Sequence, residues 1–179
     1  LREALEAPGA VAALVTPDRA LARRVSAELL RFGIHANDSG GAALGATPQG
    51  TLLTLLLDTV FRPGDPVPIA ALLKHPLLHA GLTRRAARAA AETLELVALR
   101  GGVGRPDIAT FDSVTGDRLA ELASSERPPF WLLRLGAGDI TQAQQLAVTI
   151  VEAVAPLAQW RLSHQAGLQR LAADLARAM

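Results

Sequence analysis

The chain has 179 residues, of which half are hydrophobic and a fifth are charged, so its composition is that of a globular protein and excludes a disordered chain. Its 18 basic and 17 acidic residues leave a formal net charge of +1, which excludes a strong overall attraction to nucleic acid. It has no cysteine, which excludes disulfides, thiolate zinc sites and iron–sulfur clusters within these residues, and no apolar run approaches the ~20 residues of a membrane-spanning helix.

The first third of the chain predicts a small α/β unit. Residues 10–15 (AVAALV) form a short apolar run that is typical of a buried strand, and residues 34–37 predict a second strand. Between them, Thr16 and Pro17 begin a helix that ends at Gly33. A strand, a helix and a strand within so few residues predict two parallel strands. The core predicted for residues from about 8 to 60 comprises Leu14, Val15, Leu21, Val25, Leu29, Ile34, Leu52 and Leu56.

The rest of the chain predicts helices. A leucine-rich helix starts at Thr47 and Pro48 and runs to about Phe61. The stretch 62–68 (RPGDPVP) breaks the chain after it and is the main candidate for a boundary, which gives predicted domains of residues 1–62 and 63–179. Further helices are predicted over 69–74, from Thr83 to Arg100, over 117–124, and from Asp139 and Ser163 onward, with Pro156 breaking or kinking the helix that starts at Asp139.

No motif in the chain predicts catalysis. Lys74 is the only lysine and no glycine precedes it, so there is no Walker A loop. The loop of residues 39–45 (SGGAALG) fits a phosphate cradle less well than a flexible connector. His75 and His79 are four residues apart, but Pro76 prevents a regular helix from placing them on one face. We therefore predict that the chain contains no catalytic residue and binds no cofactor and no metal.

Three arginines are the candidate binding residues. Arg84, Arg85 and Arg88 occupy the first turns of a predicted helix, where the helix dipole disfavours cations. A DNA phosphate would relieve that repulsion, and these three residues are therefore the candidate nucleic-acid contacts. The alternative is a solvated basic face. Trp131 and Trp160 are capable of stacking on bases, but single tryptophans in amphipathic helices more often belong to the core.

The N-terminal half resembles a known family. Residues 12–21 (AALVTPDRAL), the helix that leads to Gly33, and residues 38–41 (DSGG) resemble a segment of the second motor domain of superfamily 1 helicases of the UvrD/Rep type. A narrower resemblance is to the AddB-type subunit of bacterial AddAB helicase–nucleases. It rests on three stretches taken together, AALVTPDRALARRV, TPQG and LLKHPL. Active helicases carry a charged stretch after the paired glycines, where this chain has ATPQGTLL. That departure is similar to the degenerate helicase-like domains of AddB-type subunits. The resemblance covers roughly the first 80 residues.

This resemblance implies a partial RecA-like domain with a small parallel sheet in residues 1–62 and a helical 2B-like insertion in residues 63–179. The chain begins at Leu1 and its only methionine is Met179, so we expect a piece of a larger protein. The parent would be cytoplasmic and would act in double-strand break repair and recombination with an AddA-type helicase–nuclease subunit. Its ATP, magnesium and iron–sulfur sites would lie outside these residues. The piece itself would supply scaffold, subunit contact and weak DNA contact.

Two alternatives remain open at this stage. One is a fragment of an active UvrD-type DNA helicase, and the other is a helical protein-interaction module without a role in nucleic-acid binding.

Overall fold

A computed structural model describes residues 9–100, 105–162 and 167–179, and across these ranges the protein is all-α, with seven helices and no strand. The helices are α1 (Arg19–Arg31), α2 (Pro48–Phe61), α3 (Pro66–Leu73), α4 (Arg84–Leu94), α5 (Phe111–Ser124), α6 (Ala137–Ala158) and α7 (Leu168–Ala178). Single helical turns cover Leu44–Ala46, Ile108–Thr110, Leu132–Arg134 and Gln159–Leu162, and a wider turn, Glu95–Leu99, continues α4. No described helix combines the length and the apolar character that crossing a membrane requires.

The predicted α/β fold of the N-terminal part is wrong, because residues 10–15 and 34–37 form no strand and do not pair. The side chains of Val11 and Val15 are 93% and 94% exposed, so the apolar run is not buried. Three of its six residues are alanine, which has a low preference for strands, and two short strands alone are marginally stable. Without the sheet, the RecA-like character inferred for this part is lost as well.

The predicted N-terminal core is only partly correct. Leu52 and Leu56 are buried, as predicted. Leu14, Val15 and Leu21 are exposed. The remaining three members, Val25, Leu29 and Ile34, are half-buried.

The chain divides into two compact units, Leu1–Gly41 and Ala42–Met179. In the first unit, the N–H groups of Ala20 and Leu21 donate to the side chain of Asp18 at 2.8 and 3.2 Å, so Asp18 caps α1 in place of the predicted Thr16. No residue of α1 is buried. The guanidinium of Arg19 donates to both carboxylate oxygens of Asp38, at 3.0 and 2.9 Å, and so joins α1 to the segment after it. The described residues of the first unit therefore hold together through hydrogen bonds and an ion pair, without a packed interior.

The second unit has a helical core centred on α6, which packs against α4, α5 and α7. Alanines on α4 and α6 have small side chains that allow the two helices to approach closely. The largest fully buried side chains of this core are Phe111, Ile69, Leu72, Leu94, Ile108, Leu146, Leu157, Val60, Val97 and Val154. The predicted boundary at residues 62 and 63 falls between α2 and α3, which pack against each other within this unit.

Local signals in the sequence placed the starts of α2 and α4 correctly, whereas α5 starts at Phe111, six residues before the predicted Asp117. Thr47 and Thr83 cap α2 and α4, where their hydroxyls accept from the N–H groups of Gly50 and Ala86 at 3.1 and 3.2 Å. Asp139 lies in the first turn of α6, which begins at Ala137. The helix continues through Pro156 to Ala158, so the predicted break precedes its end by only two residues. The predicted cap Ser163 lies outside the described residues.

Candidate nucleic-acid interface

The three arginines singled out in the sequence lie at the start of α4 and are exposed. Arg84 and Arg85 form no ion pair with any described residue, whereas the Nε of Arg88 donates to Oε1 of Glu92 at 3.2 Å. Arg84 and Arg85 are the first two residues of α4, where the helix dipole raises the electrostatic energy of a cation. Both guanidinium groups are therefore available to an anion.

Only two of the three arginines share a cleft. A cleft of about 380 Å³, here called the basic cleft, is lined by Leu73, Lys74, His75, Pro76, Leu78, Arg84, Arg88 and Glu92. Arg85 is not part of its lining. The structure thus brings Arg84 and Arg88 together with the end of α3 and the turn that follows it, and leaves Arg85 on the outer surface of α4.

Lys74 enters the basic cleft from the end of α3, and sequence reasoning did not select it. Its Nζ is ion-paired with Glu95. Oε1 of Glu95 also accepts hydrogen bonds from Nη2 and Nε of Arg100, at 2.6 and 2.9 Å. The Glu95 side chain is 15% exposed. The hydrogen bond from Lys74, followed by that from Arg100, holds the pKa of Glu95 below its ordinary value. One carboxylate therefore fixes two cations, and the local charge stays positive.

His75 is also part of the basic cleft and was considered in the sequence only as half of a weak metal pair. It is 8% exposed, and its Nδ1 accepts a hydrogen bond from the N–H of Leu77 at 3.2 Å. His79 instead lines a separate, apolar pocket, so the two histidines do not share a site. Across the described ranges, no three histidine, cysteine, aspartate or glutamate side chains converge as a metal ligand set would.

The arrangement can bind anions electrostatically. Within and beside the basic cleft, five cations face two carboxylates, Glu92 and Glu95. The cations are Lys74, Arg84, Arg85, Arg88 and Arg100. This local excess of positive charge is not apparent from the net charge of the chain, which is only +1. Such a surface attracts phosphate groups.

The two tryptophans have structural roles. Trp131 packs half-buried against the core of the second unit. The indole N–H of Trp160 donates to Oδ2 of Asp174 at 2.9 Å, and the guanidinium of Arg170 lies over its ring at 5.9 Å. These contacts join the end of α6 to α7 and account for Trp160 without a stacked base.

Comparisons with known proteins give no family assignment. No family model matches the chain, and neither a curated protein nor a solved structure is significantly similar to it.

Proposed function

We propose that this chain is a non-catalytic helical module that contacts the phosphates of DNA, as a cytoplasmic part of an AddB-type subunit in double-strand break repair. The observation that carries the DNA contact is the cluster of cations at the start of α4. Two of its arginines, Arg84 and Arg85, have no acidic partner among the described residues. The assignment to an AddB-type subunit rests on the sequence resemblance, without the sheet that the resemblance implied.

The physical chemistry of the cluster suits phosphates. Phosphates accept bidentate hydrogen bonds from guanidinium groups, and the cluster is rich in arginine. A phosphate also relieves the unfavourable interaction of the arginines with the dipole of α4. Each duplex phosphate contact contributes about 0.9 to the slope of log K against log salt, so three arginines give weak binding, with a Kd of about 10⁻⁴–10⁻⁶ M.

The decisive experiment measures fluorescence anisotropy of a labelled DNA duplex across a salt series. The variant in which Arg84, Arg85 and Arg88 are all alanine should lose most of the binding, and the salt slope should fall by about 2–3. The matched control changes three exposed arginines elsewhere in the second unit, Arg62, Arg127 and Arg134, to alanine. An equal loss of DNA affinity in both variants would show that only the overall charge matters and would refute a binding site at the start of α4.

A second candidate function is a protein-interaction module, and the surface of the first unit favours it. Six large apolar side chains are exposed there. They are Val11, Leu14, Val15, Leu21, Leu30 and Phe32. Contiguous exposed apolar groups are typical of surfaces covered by a partner, and six such groups within one small unit make this unit the candidate.

The partner to test for this second function is an AddA-type helicase–nuclease subunit. Changing Val15 and Phe32 to serine should weaken co-purification with that subunit, whereas the triple arginine variant should not. Co-purification that both variants retain would refute this candidate.

A further inference from the structure

We propose that the basic cleft binds a phosphomonoester, such as the phosphate at the 5′ end of a DNA strand. This inference deepens the proposed DNA contact and rests on it for the identity of the strand. Three cations line the same concavity: Lys74 at the C-terminal cap of α3, and Arg84 and Arg88 on α4. At about 380 Å³ the cleft has roughly ten times the ~30 Å³ that one water molecule occupies, so it has room for a phosphate group.

A buried histidine with an unused donor points to a ligand in this cleft. His75 is 8% exposed, and Nδ1 is occupied as the acceptor of the Leu77 N–H. The neutral ring therefore carries its proton on Nε2, which makes no hydrogen bond with any described residue. Nε2 is not among the side-chain atoms sealed from solvent without a partner. His75 is one of the residues that line the basic cleft, and the proposal has this donor face the cleft.

The acidic neighbours hold the cations in place without using all of their donors. Glu92 accepts from Nε of Arg88, which leaves the two terminal nitrogens of that guanidinium without a partner among the described residues. Glu95 fixes the ammonium of Lys74 beside the cleft. Preorganised donors lose less side-chain entropy when an anion binds than flexible ones do.

Charge distinguishes a phosphomonoester from an internal phosphodiester. The lining of the cleft contains three cations and one carboxylate, and Glu95, which pairs with Lys74, adds a second carboxylate beside it. One net positive charge remains, and a positive site attracts a dianion more strongly than a monoanion. A phosphomonoester carries about −1.5 to −2 at pH 7, whereas each backbone phosphodiester carries −1. A terminal group can also enter a concave cleft, while the phosphates along a duplex lie on a convex surface. Charge and shape therefore favour the terminal phosphate.

The test compares two otherwise identical labelled duplexes, one with a 5′-phosphate and one with a 5′-hydroxyl, by fluorescence anisotropy. The wild-type chain should bind the phosphorylated end roughly tenfold more tightly, the effect of one or two hydrogen bonds to a charged group. R84A and H75N should abolish that preference, since asparagine can still accept from the N–H of Leu77 but lacks the Nε2 donor. R85A is the matched control, because Arg85 lies outside the cleft, and it should keep the preference while weakening both complexes.

A titration with inorganic phosphate, followed through the imidazole NMR signals of His75, separates the sources of the ligand. A shift of those signals without any duplex binding would support a free phosphate compound as ligand and refute the proposed DNA contact. Equal affinity for both duplexes, lost in the triple arginine variant, would overturn the phosphomonoester inference and leave the DNA contact intact. No response to phosphate or to either duplex would overturn both.

Discussion

Replacing Arg161 by methionine is expected to destabilise the second unit by about 2–3 kcal/mol. The guanidinium of Arg161 donates to both oxygens of Asp107, at 2.7 and 2.8 Å, and its Nε donates to the carbonyl of Val60. It thereby ties the end of α6 to α2 and to the turn before α5. Methionine keeps most of the apolar stem, so the change isolates the polar contacts.

The magnitude follows from the burial of the pair. The side chains of Arg161 and Asp107 are 19% and 32% exposed. A hydrogen bond to a charged group contributes about 1.5–3 kcal/mol, so two such bonds contribute at least about 3 kcal/mol, and solvent screening at the partly exposed Asp107 lowers the expected loss to about 2–3 kcal/mol. A pair sealed from water would cost about 3–5 kcal/mol to break.

Urea unfolding followed by circular dichroism measures this loss. The matched control is Arg127→Met, because Arg127 is exposed and forms no ion pair with a described residue. The control should change the free energy of unfolding by less than about 0.5 kcal/mol. A loss for Arg161→Met no larger than that of the control would refute the assignment of Arg161 as a structural link.

The same variant predicts a pH dependence with a definite sign. The hydrogen bonds from Arg161 lower the pKa of Asp107 in the folded chain. The stabilisation is therefore fully present above the unfolded pKa of about 3.9 and is lost as the pH falls through the lower, folded value. The difference between wild type and Arg161→Met should shrink below about pH 4. A difference that stays constant from pH 7 to pH 3 would contradict this account.

Three further predictions concern packing, docking of α7 and catalysis. Gly50→Ala should destabilise the second unit by about 1–3 kcal/mol, because the Cβ of an alanine at position 50 would overlap the carbonyl oxygen of Leu44. Gly45→Ala is the matched control, since its Cβ would meet nothing within 4 Å, and it should be near neutral in the same urea assay. Asp174→Ala leaves the indole N–H of Trp160 without its acceptor and should lower the urea midpoint by the equivalent of about 1–2 kcal/mol; an unchanged midpoint would show that α7 docks without this bond. The purified chain should hydrolyse no ATP in a steady-state assay, and turnover that co-elutes with the chain and exceeds the buffer blank would contradict its assignment as non-catalytic.

Local signals predicted that the second unit is helical and where α2 and α4 begin, because caps and breakers act over a few residues. Thr47 and Thr83 cap α2 and α4 as predicted, and the leucines of α2 include buried ones. The prediction of the sheet failed because strands are decided by pairing, which is a tertiary property. An apolar run such as residues 10–15 is compatible with a buried strand but does not require one, and here its valines remain exposed.

The candidate site was predicted only in part, for a related reason. Arg84, Arg85 and Arg88 were selected because they occupy the first turns of one predicted helix, where the helix dipole disfavours cations. Lys74 and His75 belong to a different element, and their position beside α4 depends on how α3 and the turn after it fold back. The sequence signal that could have pointed to them is Pro76, which fixes the turn at the end of α3 and lies two residues after the only lysine of the chain.

The net charge of the chain is a poor guide to its electrostatics, because ion pairs divide the cations unequally. Arg19, Arg161 and Arg177 each lie against a carboxylate and contribute little field beyond it. At the start of α4 the opposite holds, since Arg84 and Arg85 are adjacent in the chain and form no ion pair with a described residue. An approaching polyanion responds to the uncompensated charges within about one Debye length, which is about 10 Å at 0.1 M salt, and not to the sum over the chain. A nearly neutral protein can therefore present a local phosphate-binding surface, and its binding should weaken steeply with salt.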